Sequence, residues 1–224
     1  MNRLGAYQTG SGSGAIAPDG CAVDVYSLLP VGREPQLIHD AIPGGATVLE
    51  LGAGAGRVTH PLLALGHPVV AVDESAEMLT RITGAECVRA DITELDLGRR
   101  FAAVVLGSHL INAPDPELRL AFLRACARHV TAGGVVLIEQ APLAFLDGLA
   151  PMRFEQDGLV TVFRNIRRPG PNRYGWTLDY RKGEHSWSQN VVVELFDRAE
   201  LAGAGLRFGR HLTEDGSWFT AALI

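Results

Sequence analysis

The sequence predicts an α/β fold, a doubly wound and mostly parallel sheet with helices on both faces. Three observations predict it. Between residues 46 and 141, near-continuous apolar runs, the mark of strands buried on both faces, alternate with helix-length segments. The loop "LGAGAG" joins the first of these runs to the following helix, where open sheets of this kind bind ligands. Glu50, Asp73 and Asp91 stand at the ends of the first three runs, so carboxylates collect on one edge of the sheet.

The elements follow in order. Residues 9–14, "TGSGSG", read as a flexible Gly/Ser segment, and a short amphipathic helix follows over residues 34–42, stopped by Pro43 and two glycines. "ATVLELG" is a buried strand, "RVTHPLLALG" a helix ended by Gly66, and "HPVVAVD" a second buried strand. "SAEMLTRI" is helix, while "AECVRADI", "FAAVVLGSH" and "GGVVLIEQA" are strands three to five. Before the fifth strand, Asp115 as N-cap, Pro116 at the first helical position and Glu117 in the first turn open a helix. After Pro142 the pattern changes to half-polar, β-branched and aromatic runs separated by turn clusters, which predict an antiparallel meander. Asp197 and Glu200 have capping-box spacing for a last helix. Two strands joined by "EDG" close the chain, antiparallel to each other.

Composition narrows the partners. A net charge of -5 over 224 residues speaks against a nucleic-acid surface and for a small-molecule partner. Cys21, Cys87 and Cys126 are far apart, without metal-ligand spacing, so they read as free thiols and no metal is expected. No signal pattern and no membrane-length apolar run is present, which predicts a cytoplasmic protein without membrane contact, a monomer or homodimer.

The glycine loop carries the functional signal. A dinucleotide loop needs G-x-G-x-x-G, and counting from Gly52 and Gly54 the third glycine position is Arg57. The nucleoside-triphosphate pattern fails too, because Arg57 and Val58 stand where Gly and Lys belong. What remains is E-x-G-x-G-x-G, from Glu50 through Gly52 and Gly54 to Gly56. A carboxylate beside the loop repels phosphate and attracts a cation, while the glycines admit a ligand close to the backbone. S-adenosylmethionine, with its ammonium, sulfonium and carboxylate, has the matching chemistry. Asp73 can accept from both ribose hydroxyls, a position that NAD would fit equally. Asp91 can accept from an adenine amino group and the Ile92 amide can donate to a ring nitrogen, with Met78 and Ile92 as apolar walls.

These stretches resemble the class I S-adenosylmethionine-dependent methyltransferases of the small-molecule type. "VLELGAGAGRVT", "VVAVDESAEML", "VRADITEL", "FAAVVLGSHLIN" and "ARHVTAGGVVLIEQ" fall in the family's order over residues 46–141. The resemblance implies a Rossmann-like, seven-stranded sheet whose last strand inserts antiparallel between the fifth and sixth. It implies one domain over residues 1–224: a lid segment (1–45), a cofactor-binding core (46–142), an antiparallel substrate-side insertion (143–196) and a terminal helix with a strand pair (197–224). By the same resemblance Glu50, Gly52, Ala53, Gly54, Gly56 and Arg57 hold the methionine part. Asp73 goes to the ribose, Met78, Asp91 and Ile92 to the adenine, and Glu74, Gly107 and Ser108 complete the cofactor site. Arg57 reads equally as a helix-surface arginine, and Asp91 also as a cap of the segment after its strand.

The reaction site is expected outside the carboxyl ends of the strands. His109 is the candidate general base, or else lines the pocket. Asn112, Glu139 and Gln140 are polar candidates for the substrate pocket. Tyr7 and Tyr26 are candidates from the lid, and Trp176 and Tyr180 from the meander, against the alternative that each aromatic packs in the core. Neither a "D/N-P-P-Y" segment nor a pair of metal-binding acids is present, so the acceptor stays open. The expected activity is methyl transfer to a small molecule. The alternative is an enzyme that uses S-adenosylmethionine itself, cyclising it to azetidine-2-carboxylate or transferring its 3-amino-3-carboxypropyl group, with release of methylthioadenosine.

Overall fold

The computed structural model describes Gly5 and residues 7–224. The first elements among the described residues are β1 (Gln8–Gly12), α1 (Val23–Leu28) and α2 (Glu34–Ala41). The alternating region comprises β2 (Val48–Leu51), α3 (Thr59–Ala64), β3 (Val69–Asp73), α4 (Ala76–Leu79), β4 (Glu86–Arg89), β5 (Phe101–Leu106), α5 (Pro116–His129) and β6 (Val130–Glu139). After it come α6 (Leu143–Asp147), β7 (Met152–Gln156), β8 (Leu159–Gly170), β9 (Arg173–Lys182) and β10 (His185–Glu194). The last elements are α7 (Glu200–Gly203), β11 (Leu206–His211) and β12 (Trp218–Leu223).

Seven strands form one sheet in the order β11-β12-β6-β5-β2-β3-β4. Strands β2 to β6 run parallel, and β12 enters antiparallel between β6 and β11. The strands are apolar on both sides because both faces are covered. One face packs Leu49, Leu51, Val104 and Leu106 against Leu118, Phe122 and Cys126 of α5. The other packs Val48, Val69, Ala103 and Leu137 against Ile38 of α2 and Leu62 of α3. At about 25 cal/mol per Å² of apolar surface, these two layers are the main source of stability. Strand order reverses at β2, which pairs with β3 on one side and β5 on the other. The loops leaving Leu51 and Leu106 therefore splay apart into a crevice.

A second, antiparallel sheet has the order β1-β10-β9-β8-β7. Here the structure corrects the reading of residues 9–14 as flexible: residues 8–12 pair with residues 187–191 of β10. The glycines are used for close approach, since a Cβ on Gly10 would lie 1.8 Å from the carbonyl oxygen of Gly20. The sequence reading also lacked α1, α6 and β7, which are short or, in β7, exposed along their whole length.

The start of α5 is as expected, with the Asp115 carboxylate accepting from the amides of Glu117 and Leu118. The capping box is not. Asp197 accepts from the Ala199 amide, and the Glu200 carboxylate reaches instead to Arg119, accepting from Nε and Nη2 at 2.9 and 2.8 Å. Arg119 is buried, so a bidentate ion partner offsets its desolvation better than a cap would use the acid. No helix among the described residues is long and apolar enough to cross a membrane.

Candidate functional site

The crevice opens into a cavity of about 390 Å³, walled by the β2 and β5 loops below and by the antiparallel sheet above. Gly54, at a positive φ of 55°, faces it, and the place a Cβ would take has nothing nearer than the Tyr26 ring at 3.9 Å. Only a residue without a side chain leaves that space open. Gly56 does different work. A Cβ there would meet His60 and Ile82 at 2.8 and 2.9 Å, so this glycine serves packing against α3 and lies outside the cavity wall.

Glu50 lines the cavity and is buried, its Oε2 accepting from the Thr59 hydroxyl at 2.6 Å. Burial pushes its carboxyl up to about 7, against the lowering effects of Thr59 and Arg57. A buried acid in this state is stabilised as carboxylate by any cation that enters. Asp73 accepts from the Gly54 amide at 2.8 Å and from the Ser75 amide at 2.9 Å. Burial raises its carboxyl above the usual range while those two amides pull it back. The remaining lone pairs of Asp73 face both the cavity and an adjoining cleft.

That cleft is about 60 Å³ and shares Gly52, Asp73, Leu110 and Asp19 with the main cavity. Glu74, Asp91 and Ile92 line it, opposite Leu118 and Phe122 of α5. Asp91 also accepts from the amide and hydroxyl of Thr93, so the turn-capping alternative describes a real contact of the same side chain. Met78 lines the main cavity, not the cleft, which separates it from Ile92. Ala53 lines the main cavity as well. Arg57 does too, but its Nη1 is held by Glu34 Oε1 at 2.7 Å. The other oxygen of that carboxylate, Glu34 Oε2, is buried without a partner.

At the other end, Ser108 and His109 follow β5 in left-handed backbone conformations, φ 54° and 56°. For residues with a Cβ this costs of order 1 kcal/mol each, and such strain concentrates at functional sites. The Ser108 amide donates to Glu139 Oε2 at 2.6 Å, which fixes the end of β5 to the end of β6. Ser108, His109 and Glu139 all line the cavity. Gly107 is set just behind them, where a Cβ would lie 3.7 Å from Glu139 Oε2. The roof is Trp176 and Tyr180 of β9, on one face at period two, with Tyr26 of α1 closing one side.

Three predicted pocket residues are elsewhere. Asn112 is fully buried, accepting from the Ala141 amide and donating to the Glu194 carbonyl, so it is a brace between β6 and β10. Gln140 donates to the Gly216 carbonyl, which turns it toward the turn before β12. Tyr7 lies beyond the end of β1, where its carbonyl accepts from the Val192 amide, and the neighbouring Gln8 lines the cavity in its place. In each case the side chain or backbone has a nearby structural partner that chain order alone does not reveal.

The sequence reading missed Asp19, Cys21, Glu34 and Gln189, all on the cavity wall. Asp19 and Cys21 follow β1, whose pairing with β10 brings them and Gln189 over the crevice, and Glu34 opens α2. Gln189 donates to Cys21 Sγ at 3.2 Å, and that thiol donates to Asp19 Oδ2 at 3.1 Å. Burial, followed by the charge of Asp19, pushes the Cys21 thiol up, so it acts as a neutral hydrogen-bonding link. The cavity is acidic. Asp19, Glu34, Glu50, Asp73 and Glu139 face a single guanidinium, Arg57, and the imidazole of His109.

Residues 48–134 match the model of a family described as "Methyltransferase domain". A cypemycin N-terminal methyltransferase from Streptomyces sp is 33% identical over 121 residues, 51% of this chain and 46% of that protein. A ubiquinone biosynthesis O-methyltransferase from Xanthomonas campestris pv. campestris is 31% identical over 140 residues, 57% of each chain. The match thus spans about half the length of these curated relatives. Among solved structures, the sugar N-methyltransferase KedS8 from Streptoalloteichus sp superposes with a TM-score of 0.72 at 25% identity, over 95% of this chain and 98% of that one.

Proposed function

We propose that the chain, whose residues 48–134 match a methyltransferase domain and whose fold is that of a solved sugar N-methyltransferase, is a class I S-adenosylmethionine-dependent methyltransferase and transfers the methyl group of S-adenosylmethionine to an amine nitrogen of a small molecule. The observation that carries this reading is the acidity of the cavity: of its five acids Glu34 neutralises the one guanidinium, Asp19, Asp73 and Glu139 have none beside them, and Glu50, pushed up to about 7, gains its charge when a cation enters. An anionic ligand would be repelled there, and a cationic one is attracted at both ends.

The described residues suit the cofactor. Glu50 is a buried acid in need of a cation, Gly54 leaves room at the backbone, and Asp73 sits where the cavity and the narrow cleft join. An elongated ligand fits that shape, its purine in the cleft by Asp91 and Ile92, its ribose at Asp73 and its amino-acid end by Glu50 and Arg57. When bound, S-adenosylmethionine supplies an electrophilic methyl group on a sulfonium that loses its charge as the bond to the acceptor forms. Orientation and exclusion of water then account for most of the rate, and no side-chain nucleophile is needed.

Glu139 remains for the acceptor. Its Oε2 is bound by the Ser108 amide, leaving the other oxygen to hold an amine in place. His109, exposed on the strained turn beside it, accepts the proton that the bound ammonium must give up before its nitrogen can attack, and passes it to water, so that the methylated nitrogen takes over the positive charge from the sulfonium. Trp176 and Tyr180 offer aromatic faces to the alkyl or sugar frame of the acceptor. The nitrogen preference also has support in two of the three similar proteins, which are named for N-methylation or for a methylated N-terminus.

The test is incubation with S-adenosylmethionine and matched small amines and alcohols, followed by mass spectrometry of both products. S-adenosylhomocysteine together with an N-methylated amine is expected. Methylthioadenosine released without acceptor overturns the reaction, and methylation of alcohols but not amines overturns the acceptor class.

A further inference from the structure

The edge of the antiparallel sheet carries an interface that the site does not use. Among the described residues, two of the exposed large hydrophobic side chains, Met152 and Phe154, stand on one face of the edge strand β7, while the exposed Phe145 of α6 lines the cavity instead. Two apolar side chains exposed side by side on a free sheet edge suit a covered surface. Strand β7 pairs on one side only, with β8, and all five of its residues are exposed.

The hairpin geometry says which backbone groups are free. The turn between β7 and β8 is Asp157 and Gly158, both with positive φ (51° and 76°), a two-residue connection. Its closing pair, Gln156 with Leu159, exchanges ladder hydrogen bonds, and so by alternation does Phe154 with Thr161. Arg153 and Glu155 occupy the non-bonded positions opposite Val162 and Val160, so their N–H and C=O groups point outward along the free edge.

We propose that this edge pairs with the same edge of a second copy of the chain, β7 against β7, antiparallel about a twofold axis at Phe154. In that register Arg153 lies opposite the partner's Glu155, and Glu155 opposite the partner's Arg153. Both pairs are at positions where the outward backbone groups meet, so each exchanges two ladder hydrogen bonds and sets opposite charges face to face. Phe154 meets the partner's Phe154 at the centre. Moving the axis to Arg153 or to Glu155 places like charges opposite one another, so the pattern "RFE" selects a single register. An edge strand is ordinarily blunted by charge against association. Here Arg153 and Glu155, which pair with each other along the exposed strand at 3.2 Å, are also self-complementary across the twofold axis, so the association exchanges two ion pairs within the chains for two between them and permits one partner.

The paired edge also continues inward. Phe154 lies 6.2 Å from Phe163, which stacks at 6.5 Å on Trp176 of the cavity roof. The centre of the proposed interface is therefore connected by packed rings to the wall over the reaction site, and the isologous contact is closed, as a twofold dimer requires.

The test uses the full chain in analytical ultracentrifugation. The unaltered protein is expected to sediment as a dimer. Arg153→Glu leaves two acids and Glu155→Arg two bases on the edge, so each variant alone is expected to be monomeric. An equimolar mixture of the two is expected to restore a dimer, since every cross-pair is again opposite in charge. Restoration also shows that both variants are folded. A monomeric unaltered protein, a dimer that persists in both single variants, or a mixture that stays monomeric would each overturn the proposal.

Discussion

The Ser108 amide donates to Glu139 Oε2 at 2.6 Å, and this bond ties the two consecutive left-handed residues Ser108 and His109 to the end of the next strand. The loop that closes the reaction side of the cavity is thus held in a strained shape by the side chain assigned to the acceptor. Glu139→Gln keeps an oxygen for the Ser108 amide and removes the charge. We expect kcat/KM for the amine to fall about 10- to 100-fold, the worth of one charge-assisted hydrogen bond, with cofactor affinity little changed. Steady-state kinetics beside calorimetry with S-adenosylhomocysteine checks both halves. Loss of cofactor affinity would move Glu139 to the other end of the site.

His109→Ala separates proton removal from binding. The imidazole is exposed and makes no contact that shapes the cavity floor, so the acceptor KM and cofactor affinity should hold while kcat drops about 10²-fold. An unchanged kcat would mean that water takes the proton directly.

Asp73→Asn tests the junction of cavity and cleft. Asp73 accepts from Gly54 and Ser75 amides, and its remaining lone pairs are the proposed ribose contacts. The amide replacement keeps one acceptor oxygen and turns the other into a donor facing a donor. Cofactor affinity should weaken by about 2–4 kcal/mol, since a charged acceptor is lost and the glycine loop is loosened. Titration calorimetry gives the value, and unaltered affinity would remove Asp73 from the ribose site.

Glu50 predicts a pH dependence. Its folded-state carboxyl sits at about 7, above the ordinary 4.5. Between those values the folded protein keeps a proton that the unfolded chain gives up. Stability of the unliganded protein is therefore greatest below about pH 4.5 as far as this group is concerned. It declines as pH rises and the contribution is gone above about 7, a total on the order of 3 kcal/mol. Glu50→Gln should remove that slope in urea unfolding. A cationic ligand reverses the preference, so cofactor binding should tighten as pH approaches 7 and release a proton, measurable as a buffer-dependent heat.

How much of this was legible in the sequence depends on the range of the contacts. Glu50 and Asp73 stand at the ends of strands that the apolar pattern marks plainly and Gly54 and Asp91 just after strands, and chain order alone brings strand ends to one edge of a parallel sheet. Asn112 and Gln140 share that neighbourhood in sequence, but their partners, Glu194 and Gly216, are 82 and 76 residues away. Local pattern carries no trace of such bonds. Asp19 and Gln189 reach the cavity wall because β1 pairs with β10, a contact between opposite ends of the chain made by a strand whose Gly/Ser composition reads as a loop. Strand propensity is weak evidence for an edge strand held by backbone pairing and glycine contacts.

Asn112 yields the last expectation. It is fully buried between the sheet ends, accepting from the Ala141 amide and donating to the Glu194 carbonyl at 2.7 and 2.9 Å. Asn112→Ala leaves both backbone groups without a partner, at a cost of about 1–3 kcal/mol each. For a chain of this length the melting temperature should fall by about 10 °C. Glu194 ends β10, and the same residue accepts from Arg173 at the start of β9, so the loosened brace acts on the strands that roof the cavity. Below the transition, cofactor affinity should therefore be retained while the acceptor KM rises, because Glu50, Asp73 and the cleft lie on the other sheet. Differential scanning calorimetry with kinetics at low temperature distinguishes this from a direct substrate contact, which would raise KM without lowering the melting temperature.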